Sequence, residues 1–241
     1  MAWKRRLAEL EEVKSRFLNL MAHEFRGPLA VVRGYASMLA EGTFGPQDAA
    51  DLRTAMPVMT QKLDEMNVLV DQMLETARLE SGQRPLDNER LHMNEVVRQA
   101  VVAVGPRARQ HRIVATDSTS GDSVIGDRSR LVTIVSSLLD NACKFSPEGN
   151  EVRVSIACTD GEVTISVEDD GFGIATNDLD ILFTQFGRIV TPENCHISGS
   201  GLGLHFSQQL ARLHGGRITV RSVEGSGTAF VLHLPADEGA A

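Results

Sequence analysis

The chain has 241 residues, 42% hydrophobic and 23% charged, which suits a folded protein of one or two domains. Its net charge of -8 and pI near 5.4 argue against a groove for nucleic acid or a patch for an anionic membrane surface. No apolar run approaches the ~18 residues that cross a bilayer, no signal-peptide pattern opens the chain, and Cys143, Cys158 and Cys195 lack metal-ligand spacing and read as reduced thiols.

The first 82 residues read as a helical hairpin. Leu10, Val13, Phe17 and Leu20 are spaced as one apolar stripe, and Leu52, Met56, Met59, Leu63, Met66, Val70, Met73 and Ala77 continue the same heptad alternation on a second helix. Between them, Gly42, Gly45 and Pro46 stop one helix and turn the chain. Pro28 and Pro57 fall inside the two helices, where each is expected to introduce a bend. Two helices alone leave too much apolar seam in water. A four-helix bundle built by two chains, hence a homodimer, is the expected completion.

Residues 83–241 change period. A helix is expected over Met93–Val104, another over Asp127–Lys144 with Asp127 as N-cap, and a third over Leu202–His214. Arg112–Thr116, Glu151–Cys158, Glu162–Glu168, Arg217–Ser222 and Thr228–Leu234 alternate or are β-branched, as strands are. The fold class is therefore α+β: a helical hairpin, then an α/β sandwich with one mixed sheet and helices on one face.

Three segments of this second part have the chemistry of a nucleotide site. Val167-Glu168-Asp169-Asp170-Gly171-Phe172-Gly173 ends a strand in acid and glycine; Asp169 can accept from the exocyclic amine of adenine, and glycines let backbone approach a base. The same residues alone equally make tight turns. Gly199-Ser200-Gly201-Leu202-Gly203-Leu204 opens a helix, where bare amides and the helix dipole attract anions; alone, a flexible loop reads as well. It is neither a Rossmann fingerprint nor a Walker loop. In Ser137-Leu138-Leu139-Asp140-Asn141-Ala142-Cys143-Lys144, the Asn141 carbonyl suits Mg2+ and Lys144 shares its helix face, though such residues are ordinarily just solvated.

In combination and order, the Asn141 segment, the Asp169 segment, Phe183-x-x-Phe186-x-Arg188 and the Gly199 segment resemble the N, G1, F and G2 boxes of the Bergerat-type ATPase fold. Histidine kinases, gyrase B, Hsp90 and MutL share that fold. Gly225-Ser226-Gly227-Thr228 resembles its last glycine box. The resemblance implies that Asn141 holds Mg2+ and that Asp169, with Gly171 and Gly173, reads adenine. It further implies that Lys144 and the backbone of Gly199, Gly201, Leu202 and Gly203 hold ATP phosphates under a lid at 189–198, and that Arg188 and Leu204 also contact the nucleotide. One departure is Ser137, where the family often carries a second Asn, which implies weaker metal or nucleotide affinity.

Upstream, Phe17-Leu18-Asn19-Leu20-Met21-Ala22-His23-Glu24-Phe25-Arg26-Gly27-Pro28 resembles the H box of sensor histidine kinases. A neutral imidazole accepts phosphoryl well near pH 7. The seam centres on position 24, which leaves His23 on its flank. Glu24 is placed to take up the proton of the other ring nitrogen, and Arg26 to offset developing charge. Gly at position 27 rules out a His-Glu-x-x-His zinc site and departs from the Thr or Asn that helps such kinases dephosphorylate their partners. The resemblance implies autophosphorylation of His23 by Mg·ATP and transfer to an aspartate on a response-regulator receiver domain. It also implies a cytoplasmic location, with residues 1–16 continuing an upstream signalling helix, and leaves open whether the natural protein is membrane-anchored. An ATP-driven clamp like gyrase B or MutL, and a non-catalytic nucleotide-binding scaffold, are the rival readings.

Overall fold

The computed structural model describes Ala22 and residues 25–41, 53, 55–64, 66–67, 70, 86–105, 108–116, 121–147, 149–185, 187–195, 197 and 201–237. The chain divides into two compact units, Met1–Ser81 and Gly82–Ala241. In the first, residues 25–40 (α1) and 55–64 (α2) are helical, and Pro28 and Pro57 lie within these runs. Met56, Leu63 and Val70 of the expected seam are exposed, as are Leu29 and Met38. The Gly42–Pro46 turn and the stripe from Leu10 to Leu20 lie outside the described residues. No described helix is long and apolar enough to cross a membrane.

The second unit runs β1 (Glu89–His92), α3 (Met93–Val104), β2 (Arg112–Thr116), β3 (Ser123–Gly126), α4 (Arg128–Phe145), β4 (Glu151–Thr159), β5 (Glu162–Asp169), a 3-10 helix (Thr176–Ile181), α5 (Gly203–Leu213), β6 (Arg217–Val223) and β7 (Gly227–Pro235). Five strands form a sheet in the order β2-β4-β5-β7-β6, with β2 parallel to β4 and the other pairs antiparallel. The strands expected from period and β-branching are present, each within a residue or so of its expected ends. The short pair β1 and β3, antiparallel to each other, is an addition. Each is four residues long, too short to show a period, and β1 buries only Leu91.

The core forms because α4 presents Leu131, Ile134, Val135, Leu138 and Leu139, all fully buried, to alternate residues of the sheet. α4 packs against both α3 and α5. Asp127 caps α4 as expected, its Oδ1 accepting from the Arg130 N–H at 3.2 Å and from the Ser129 hydroxyl at 2.7 Å. Strands β4 and β5 join through Asp160-Gly161, with φ of 53° and 76°, the two positive values that a tight right-twisted hairpin needs. At the open edge of the sheet, Gln208 of α5 accepts from the Ile218 N–H at 2.7 Å and donates to the Ile218 carbonyl at 3.4 Å.

His214, just past α5, locks that helix to the start of α4. Its Nδ1 lies 2.7 Å from the Leu210 carbonyl, so it carries the proton, and its Nε2 accepts from the Asp127 N–H at 3.0 Å. The ring is buried, and desolvation holds its pKa below 6.5. Protonation would remove the acceptor. The unfolded chain then binds the extra proton first, so this contribution is full above about pH 6.5 and is lost as pH falls. His214→Gln should lower stability by about 1–3 kcal/mol near pH 7.5, with the deficit shrinking toward pH 5. Urea melts across that range check the sign.

Candidate nucleotide site

The side chains of Val163, Ile165, Val167 and Asp169 all point to the buried face of β5, because residues two apart in a strand share a face. Asp169 therefore ends an apolar stripe as a carboxyl only 5% exposed. Burial pushes its pKa up to about 6, even though the Gly171 N–H bonds Oδ1 at 2.8 Å and Thr228 adds a backbone bond. A desolvated acceptor at the end of a strand is suited to read a donor on a flat ring.

The glycines around it are required by the protein's own backbone. A Cβ on Gly171 would run into the Phe145 carbonyl at the end of α4. On Gly173, at φ 65°, it would strike the Val223 carbonyl, and on Gly227, at φ 104°, the carbonyl of Asp169 itself. Phe172 ties these pieces together: its N–H donates to Phe145 at 3.2 Å and its carbonyl accepts from Gly225 at 2.7 Å. The first and last glycine boxes are thus one packed assembly against α4.

Ser137, Asn141 and Lys144 lie along one less-buried flank of α4, beside the fully buried Leu138, Leu139 and Ala142. Ser137 faces the start of α5, its Oγ 3.1 Å from where a Cβ on Gly203 would stand. Lys144, expected near phosphate, has its Nζ 2.6 Å from Asp140 Oδ2, one turn back. Cys143 is buried, and desolvation first, then Asp140 and Asp169, push its thiol to about 11. It stays neutral.

At the other wall, Gly201 has φ 66°, Leu202 is buried as the cap of α5, and Phe206 donates the first bond of the helix to Leu202 at 2.8 Å. The preceding first-turn amides, from Gly203 and Leu204 onward, have no carbonyl within the helix to bond and suit an anion. His205 Nδ1 lies 2.9 Å from the Phe183 carbonyl, joining α5 to the F segment. Arg188 donates to the carbonyl of Ile197, and Asn194 bonds the Thr191 N–H and the Ile189 carbonyl. Gly199, His23 and Glu24 lie outside the described residues.

No cluster of three His, Cys, Asp or Glu side chains suited to a metal occurs among the described residues. The Asn141 amide oxygen and Ser137 hydroxyl instead suit Mg2+, a hard ion that keeps mostly water and phosphate ligands. Arg153, in none of the motif segments, also bears on this end of β5. It grips Asp170, the exposed neighbour of Asp169, through two bonds of 2.8 and 3.0 Å from the other face of the sheet. The outward alternation of Arg153 and Asp170 was the available signal.

Residues 126–238 match the family model described as Histidine kinase-, DNA gyrase B-, and HSP90-like ATPase. Residues 13–82 match that of the His Kinase A (phospho-acceptor) domain. Over 230 residues, 95% of this chain and 59% of the relative, the sequence is 30% identical to the sensor-like histidine kinase SenX3 of Mycolicibacterium smegmatis. The structure is similar to the mycobacterial sensor histidine kinase MprB, with TM-score 0.55 and 32% identity over 62% of this chain and 97% of that one. It is also similar to full-length ShkA in complex with AMPPNP, with TM-score 0.66 and 27% identity over 94% of this chain and 47% of that one. The chain belongs to the sensor histidine kinases. It spans about half the length of the curated relatives it matches.

The glycine assembly gives a paired test. Gly227→Ala combines a positive φ with a backbone clash and should cost about 2–4 kcal/mol, whereas Gly225→Ala, with a positive φ and open space, should cost only about 1–2 kcal/mol. Chemical denaturation of both variants measures the difference.

Proposed function

We propose that this chain is the phosphoryl-transfer core of its protein: it binds Mg·ATP, phosphorylates His23 and passes the group to an aspartate of a response-regulator receiver domain. Residues 1–82 serve as the dimerisation and phospho-acceptor hairpin of a homodimer, and residues 83–241 as the ATP-binding domain. The observation that carries the reading is the meeting of four chain segments around α4. They bring a buried carboxyl, a glycine-tight loop and a bare helix start to one place.

Asp169 accepts from the adenine amine. Guanine, with an oxygen there, is repelled. The first-turn amides of α5 hold phosphate oxygens, with Gly199 and Gly201 extending that cradle. Lys144 exchanges Asp140 for a phosphate, and Arg188 leaves the Ile197 carbonyl to do the same. Asn141 contributes an oxygen to Mg2+, which when bound offsets the charge of the triphosphate. An imidazole nitrogen of His23 forms the new bond to the γ-phosphorus as the bond to the bridging oxygen breaks. ADP leaves with that electron pair, and Glu24 takes the proton from the other ring nitrogen. The chemistry is that of the cytoplasmic side of a longer sensor.

Incubation of the purified chain with γ-labelled ATP should give an acid-labile label that His23→Ala abolishes while ATP still binds. Asp169→Asn should lose about ten- to hundredfold in ATP affinity, the worth of a charged hydrogen bond of about 1.5–3 kcal/mol. ATP turnover without any label on the wild type would leave an ordinary ATPase.

Gly27 tests the second activity of such kinases. A Cβ there meets nothing within 4 Å, so Gly27→Thr should fold and gain helix propensity. The wild type should dephosphorylate its regulator weakly and Gly27→Thr faster. Equal rates for the two would contradict this role of the position.

A further inference from the structure

Asp169 and Asp170 are adjacent in sequence and opposite in space. The former closes the buried stripe of β5, and the latter, one residue on, turns to the open face of the sheet. Arg153 of β4 stands on that open face, between the buried Val152 and Val154, opposite Glu168 in the strand register. Its two terminal nitrogens bond the two carboxylate oxygens of Asp170, and its Nε lies 3.9 Å from Glu168. Asn150 adds a bond to the Asp170 carbonyl at 3.3 Å. Such a planar two-point grip fixes direction as well as charge.

We infer that Arg153 is a positioning residue of the nucleotide site: it holds Asp170 outward and balances its charge, so that Asp169 alone faces the base as an ionised acceptor. This role rests on the proposed reading of Asp169. The groups that bear on Asp169 are few. Just past the end of its own strand Asp170 opposes its ionisation, and from β4 Arg153 favours it. From α4 comes Cys143, a neutral thiol. The loop and β7 supply only the backbone bonds of Gly171 and Thr228. Asp169 titrates near pH 6, so a small change in this balance matters. Arg153 and Asp170 are both substantially exposed and therefore screened by solvent. An upward move of about half a unit would still take the ionised fraction at pH 6.5 from about three quarters to about half.

The test is ATP affinity by calorimetry from pH 5.5 to 8.5, with Mg2+, on the full chain. Each variant is read as its difference from wild type, so that titration of the nucleotide itself cancels. Arg153→Gln should weaken binding mainly below about pH 7, the deficit fading toward pH 8.5, with the acid limb displaced upward by about half a unit. Arg153→Lys should restore part of the displacement. Arg153→Gln with Asp170→Asn, which removes both charges, should bring the limb back. A uniform loss at every pH, or an unmoved limb in Arg153→Gln, overturns the role, since a merely structural residue gives the first and an idle one the second. Failure of the wild type to bind ATP at any pH overturns the proposed function and this role together, a result distinct from an unmoved limb in a chain that binds.

Discussion

The two-residue repeat of β5 constrains everything built around the site. Three β-branched side chains bring the strand to the interior, and the repeat carries the next residue of the series, a carboxyl, to the same face. An acid placed there loses water and holds its proton more tightly, and two local backbone donors, from Gly171 and Thr228, oppose that rise. Slipping the register by one residue would turn Asp169 out and Asp170 in, along with every apolar side chain of the strand. The same packing that stabilises the sheet therefore selects which of two adjacent acids is buried.

Helix α4 is the second organising element. One face fills the core, its flank carries Ser137, Asn141 and Lys144, its C-terminal carbonyl at Phe145 anchors the Phe172 loop, and its N-cap is tied to the far end of α5 through His214. Strand end, glycine loops and helix start are thus all referenced to one rod. The close backbone approaches at Gly171, Gly173 and Gly227 leave no slack for side chains. These glycines owe their identity to the protein's own packing as much as to any bound molecule.

Much of this was legible in the sequence because it rests on local rules. The period of two in Glu162–Glu168, the cap at Asp127 and the helix opened after Gly201 are each properties of a few consecutive residues. The order of the boxes pointed to the ATPase fold that the family model also matches. What was not legible depends on residues far apart in the chain: the parallel pairing of β2 with β4, the short β1–β3 ribbon, the His214 bond to Asp127 across 87 positions, and the clasp of Asp170 by Arg153. Lys144 shows the same limit at short range. Its helix face follows from spacing along α4, whereas its pairing with Asp140 is a matter of the structure.

The glutamine on the outer edge of the sheet has a consequence for how chains of this kind meet one another. A terminal strand displays unused donors and acceptors that invite a strand from another molecule. Gln208 supplies both halves of such a pairing from within, imitating at Ile218 the amide of an absent neighbour. Sheet-to-sheet stacking of the catalytic modules into larger ribbons is discouraged at that point.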